Sequence, residues 1–111
     1  MSRRGKAFAR SAAPVFAALG NEMRLALVDR LCAGGVMSIT TLTEGTDVTR
    51  QAVTKHLRVL ADAGLVRGTG RGRTHVWEIE PARLADARQW LNRISDQWDE
   101  ALARLKSSLE E

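Results

Sequence analysis

The stretch Val-Thr-Arg-Gln-Ala-Val-Thr-Lys-His-Leu-Arg-Val-Leu-Ala-Asp-Ala-Gly-Leu-Val, residues 48–66, constrains the fold more than any other part of the chain. At about 100° per residue, a helix here gathers Val53, Leu57 and Leu60 into a narrow apolar sector. Gln51, Thr54, Lys55 and Arg58 fall on the opposite side. Thr49 is a good N-cap, because its hydroxyl can accept from free amides of the first turn. Gly64 suits the left-handed position after a helix end, and Leu65-Val66 begins a strand. One edge of this helix therefore faces a core, and the other presents long hydrogen-bond donors. Those donors suit a major groove, where Gln and Arg bond base edges and Thr and Lys reach phosphate or bases.

A polar outer face alone is what any solvated helix carries, so the flanking sequence decides. Residues 38–44, Ser-Ile-Thr-Thr-Leu-Thr-Glu, predict a helix of one to two turns capped by Ser38, with Ile39 and Leu42 as its buried pair. Gly45-Thr46-Asp47-Val48 then reads as a tight turn. Helix, short turn and helix with a polar outer face form the helix-turn-helix arrangement. Upstream, residues 11–19 predict a first helix, with Ser11 as cap and Pro14 in the tolerated first turn. Residues 22–33 predict a second, with Met23, Leu27, Val28 and Leu31 on one side and Gly34-Gly35 as its stop. Cys32, at the end of that helix, is expected as a small core residue rather than a redox or metal thiol.

Downstream, residues 65–68 and 74–79 alternate and favour β residues. Between them, Thr69-Gly70-Arg71-Gly72-Arg73 supplies two glycines for a tight reversal and two arginines at its tip. Such a hairpin would lay Arg71 and Arg73 along phosphate or into an adjacent minor groove, with His75 of the second strand also within reach of phosphate. Gly68-x-Gly70-x-Gly72 is not read as a nucleotide loop, because it joins two strands instead of opening a helix.

The last helix is expected from Glu80 or Pro81 to about Leu109. Leu84, Ala87, Leu91, Ile94, Trp98, Leu102, Leu105 and Leu109 form a continuous apolar stripe along it. At 1.5 Å per residue such a helix is more than ~40 Å long, longer than so small a domain can cover. The stripe therefore argues for helix packing across a dimer, with Leu91, Ile94, Trp98, Leu102 and Leu105 at the interface. Trp90 lies off the centre of the stripe and is expected to pack against its own domain.

At 111 residues the chain makes one domain with a modest core. Lys and Arg number 17 against 13 Asp and Glu, a formal charge of +4, so distribution matters more than the sum. Six basic residues (Arg50, Lys55, Arg58, Arg67, Arg71, Arg73) stand against one acid, Asp62, between Thr49 and His75. The first ten residues carry four basic side chains and no acid, whereas residues 84–111 have six acids and four bases. Positive charge thus gathers at the arm, the outer-face helix and the hairpin, as a polyanion partner requires. Arg3-Arg4 superficially suggests a twin-arginine export signal, but Asn21, Glu22 and Arg24 break the apolar run that should follow. No segment approaches membrane-spanning length, and the single cysteine cannot build a disulfide within one chain, so a cytoplasmic protein is expected.

Three segments together resemble one family. Residues 48–66 look like the recognition helix of the ArsR-type winged-helix transcriptional repressors. Ala17-Ala18-Leu19-Gly20-Asn21-Glu22-Met23-Arg24-Leu25-Ala26-Leu27-Val28 matches the family's first helix junction, and Gly70-Arg71-Gly72-Arg73-Thr74-His75-Val76-Trp77 its wing. The similarity spans about residues 14–90, in the family's order. It implies a mostly α winged helix-turn-helix with a small β-hairpin wing, in the order α-α-α-α-β-β-α, dimerising through the first and last helices. The division expected is a basic arm at 1–10, a DNA-binding domain at 11–80 and a dimerisation helix at 81–111. The function implied is sequence-specific binding of double-stranded DNA by a homodimeric repressor at a two-fold operator. Thr49 would fix the start of the recognition helix, Arg50, Gln51, Thr54 and Lys55 would lie in the major groove, and Arg58 on the flanking backbone.

No catalytic constellation accompanies this. His56 lies between the two faces of its helix and is expected to be structural, and neither histidine belongs to a Ser, Cys or carboxylate motif. Many ArsR-type proteins bind metal through paired cysteines near the recognition helix, or through His and Asp/Glu pairs on the last helix. Here there is no Cys-x-Cys pair and no histidine after His75, and Asp96, Asp99 and Glu100 alone suit soft or borderline ions poorly. No metal and no cofactor are expected. The signal stays open among an organic effector, Cys32 chemistry, protein contact and abundance. A metal- or redox-responsive sensor of the same fold, and a winged helix used for protein contact alone, are the alternatives.

Overall fold

The computed structural model describes residues 3–71 and 74–110. Its elements are α1 (Arg3–Leu19), α2 (Glu22–Gly34), β1 (Met37–Ser38), α3 (Ile39–Thr43), α4 (Arg50–Asp62), β2 (Val66–Arg71), β3 (Thr74–Ile79) and α5 (Pro81–Glu110). The strands form one antiparallel sheet in the order β1-β3-β2. The expected fold is thus present: a helical domain carrying a small wing. The added element is β1, whose two residues pair Met37 with Trp77 and Ser38 with Val76.

One core holds these elements. Leu27 and Leu31 of α2, Leu42 of α3, and Val53, Leu57 and Leu60 of α4 are essentially inaccessible to solvent, with Val15 of α1 and Leu65 packed beside them. Trp77 of the sheet and Ala87 of α5 complete the cluster. Burying each of the larger aliphatic side chains contributes about 1.5–3 kcal/mol, so α4 is fixed by its inner edge while its outer edge stays free. Gly64 ends α4 at φ +78°, and the Leu65 amide reaches back to the Leu60 carbonyl at 3.0 Å. That left-handed residue turns the chain into β2.

Three expectations are corrected. The first helix begins at Arg3, not Ser11, so the expected arm is helical over 3–10 and Pro14 lies inside the helix. The alanine-rich sequence favours helix, and Ser11 is not a cap: its hydroxyl donates to the Phe8 carbonyl at 3.0 Å. Pro14 is tolerated because it and Arg10, whose carbonyl loses a donor, are both exposed to water. Cys32 is exposed rather than in the core; it is rotated about 100° from the buried Leu31. Gly70 serves the strand, not the reversal. It stands opposite His75, where a Cβ would meet the histidine ring at 2.8 Å. Gly68, opposite Trp77, likewise leaves room for the indole, at 2.9 Å.

The last helix outruns the domain. Phe16 of α1 packs on Trp90, with ring centroids 5.3 Å apart, so Trp90 does face its own domain. Beyond that contact, Leu91, Ile94, Trp98, Leu102, Leu105 and Leu109 are exposed. The Cα radius of gyration is 18.4 Å and the long axis 67 Å, against about 13 Å for a compact chain of this length. Most of the apolar stripe is left uncovered by the described residues.

Candidate nucleic-acid interface

The polar face of α4 is built from the turn before it. Ser38 caps α3 by accepting from the Thr41 amide at 3.2 Å. A helix of five residues leaves most of its carbonyls without intrahelical donors, and Arg30 of α2 supplies them. Its Nη1 donates to the Leu42 carbonyl at 2.8 Å and its Nη2 to that of Thr41 at 2.9 Å, with a longer contact to Glu44 at 3.4 Å. Gly45, at φ +75°, then makes the turn. Thr49 caps α4 as expected, its Oγ1 accepting from the Ala52 amide at 3.1 Å. The hydroxyl hydrogen of Thr49 remains available to an acceptor outside.

On α4 itself, Arg50, Gln51, Lys55 and Arg58 are exposed and Thr54 is half-buried. They line one open concavity of about 540 Å³, together with Ile39 from the start of α3. The structure thus brings together Arg50, Gln51, Thr54, Lys55 and Arg58, with Thr49 at the helix start. Thr54 Oγ1 donates to the Arg50 carbonyl at 2.8 Å, which commits its hydrogen to the helix. His56 lies on the flank, half-buried, where Arg24 Nη1 donates to its Nδ1 at 3.4 Å. Arg24 Nε also donates to the Ala18 carbonyl, so one side chain ties the end of α1 to α2 and α4.

The wing contributes less charge than its composition suggests. Arg67 donates to Glu78 Oε1 and lies 3.4 Å from Glu80 Oε1. Glu78, first by hydrogen bond and then by charge, and Glu80 more weakly, hold the exposed Arg67 guanidinium above its ordinary range. Arg67 is therefore matched by acids, unlike Lys55 or Arg58, for which no ion pair is found among the described residues. Arg71 is the last residue of β2, paired with Thr74; Arg73 lies outside the described residues. His75 is exposed and on the Trp77 side of the sheet, its ring 5.6 Å from the indole.

Sequence reasoning missed Arg30, Arg24 and the second role of Ile39. Arg30 carries no spacing signal, because its partners are carbonyls in a helix that begins nine residues later. The type and spacing of Ile39 mark it only as a core residue. Among the described residues, no three His, Cys, Asp or Glu side chains converge as metal ligands. None of the described helices is long and apolar enough to cross a membrane.

Comparison with known proteins agrees with this geometry. A helix-turn-helix domain family matches residues 19–69, which run from the end of α1 into β2. The HTH-type transcriptional regulator Rv2034 of Mycobacterium tuberculosis is 38% identical over 85 residues, covering 77% of this chain and 76% of that protein. An ArsR-like transcriptional regulator from Rhodococcus sp. RHA1 superposes with a TM-score of 0.72 at 35% identity, over 88% of this chain and 92% of its own. The homodimeric winged helix-turn-helix DNA-binding domain of Mb0332 from Mycobacterium bovis, a possible ArsR-family regulator, gives 0.63 at 25% identity, over 94% and 93%. At these identities and coverages the family is shown: the chain belongs to the ArsR-type winged helix-turn-helix transcriptional regulators, which bind DNA.

Proposed function

We propose that the chain works as a homodimeric repressor in the cytoplasm, occupying a two-fold-related operator and blocking promoter access. The observation that carries this is the single concavity lined by Arg50, Gln51, Thr54, Lys55 and Arg58 on the exposed edge of α4. Arg50, Gln51 and Lys55 reach base edges and Thr49 donates to phosphate, while Arg58 grips the flanking backbone. Arg71, Arg73 and His75 follow the adjacent backbone from the wing. The uncovered stripe of Leu91, Ile94, Trp98, Leu102 and Leu105 supports pairing of two copies, since so long an apolar edge is unfavourable in water. Two copies would place two α4 helices in major grooves about one helical turn, or a multiple, apart.

The test is to select duplexes from a random pool and measure their binding by Gln51→Ala and Lys55→Ala. Each variant should bind the selected duplex at least about tenfold more weakly, the loss of one good base contact, while sedimenting as the same dimer. Normal binding by both variants would show that another face meets DNA.

A further inference from the structure

Ile39 has two environments. It packs against the core cluster, and it also lines the concavity that Arg50, Gln51, Thr54, Lys55 and Arg58 share. Ile39 is half-buried, so part of its side chain forms that wall. Thr54, on the same wall, has given its hydroxyl hydrogen to the Arg50 carbonyl. Two of the six lining residues therefore have no donor to offer outward, and the other four are long side chains that do.

This combination has a specific complement. Bases present acceptors and amino donors in the major groove, and only one apolar group, the C5-methyl of thymine. The Ile39 side chain set against cytosine N4 or adenine N6 would desolvate an amino donor without offering an acceptor, which is unfavourable. Phosphate would likewise find nothing on it. Gln51 beside this wall is suited to adenine N6 and N7, so the neighbouring chemistry also favours an A·T pair.

We propose that Ile39 is a specificity-determining residue, and that Ile39 with Thr54 receives the C5-methyl of one thymine in each half-site. This rests on the placement of α4 in the major groove proposed above. It adds the first residue of α3 to the reading surface, and it states which base pair that residue selects.

The experiment replaces each thymine of a selected duplex, one at a time, with deoxyuridine, which removes the C5-methyl and leaves every hydrogen-bonding group. One thymine per half-site should respond, with affinity about fourfold lower, the value of one buried CH₂ group. Replacing it in both half-sites should multiply the loss. For Ile39→Ala, thymine and uracil at that position should become equivalent. Ile39→Val, which keeps most of the core packing, should show a reduced difference. The inference is overturned if every uracil duplex binds like its parent. It is overturned equally if the alanine variant, or the valine variant should the alanine one not fold, keeps the full thymine preference. If the wild-type chain enriches no duplex at all, it is the DNA-binding assignment that fails, and this inference falls with it.

Discussion

Replacing Arg30 with Met should loosen the turn that sets the angle of α4. The methionine keeps much of the aliphatic stem and removes the guanidinium that bonds the Thr41 and Leu42 carbonyls at 2.9 and 2.8 Å. A hydrogen bond from a charged donor contributes about 1.5–3 kcal/mol. Water can reach these partly buried carbonyls, which offsets some of the loss, so ~1 kcal/mol per bond and ~2 kcal/mol in all is expected. Unfolding entropy near 2.1 cal/mol/K per residue amounts to ~0.23 kcal/mol/K for this chain length, which converts that loss into a Tm lower by about 9 °C. Melting followed by circular dichroism at one fixed protein concentration measures it, the concentration being held because association shifts Tm. Arg30→Lys keeps the charge but not the two-pronged geometry and should fall between. A methionine variant melting within about 2 °C of wild type, the range of an ordinary surface substitution, would refute the role given to Arg30.

Other predictions follow from the apolar seam, the wing and α2. Trp98 is 64% exposed; if each Trp98→Ala removes on the order of 2 kcal/mol of burial and two-fold symmetry doubles it, the dimer Kd rises about 10³-fold. Sedimentation velocity reads that change, and an unaltered dimer would place the interface elsewhere. Gly68→Ala puts a methyl group 2.9 Å from the Trp77 ring, so a stability loss of about 1–3 kcal/mol is expected in denaturant titration. No loss would mean that the indole does not lie over β2. Cys32, being exposed, should react with a thiol reagent in the folded protein as readily as in the unfolded chain; protection until unfolding would contradict its placement.

How much was legible in the sequence depended on how strongly local and global preferences agreed. In α4 the apolar spacing of Val53, Leu57 and Leu60, the Thr49 cap and the Gly64 stop all act in one direction, and all three appear in the structure. The start of α1 was misread because Ser11 and Pro14 are ordinary helix-start signals, yet the alanines around them sustain a helix through both. β1 has two residues and no period to detect; it exists because β3 offers it a free edge. The glycines of the hairpin resembled turn residues, whereas Gly68 and Gly70 make space for rings on the paired strand. The grouping of Arg50, Gln51, Thr54, Lys55 and Arg58 was legible because they share a helix face. Arg30 and Ile39 were not, because their roles arise from contacts between elements.

The most direct test of the whole account is how affinity for a selected duplex depends on salt. Three cations of each protomer, Arg58, Arg71 and Arg73, are proposed to lie on the phosphate backbone. Displacing the counterions of about six phosphates gives a log–log slope near −5, or roughly a thousandfold loss of affinity between about 50 and 200 mM salt. A steep slope of that order is predicted, shallower in Arg58→Ala. A flat response would contradict the claim that the outer edge of α4 is pressed against DNA.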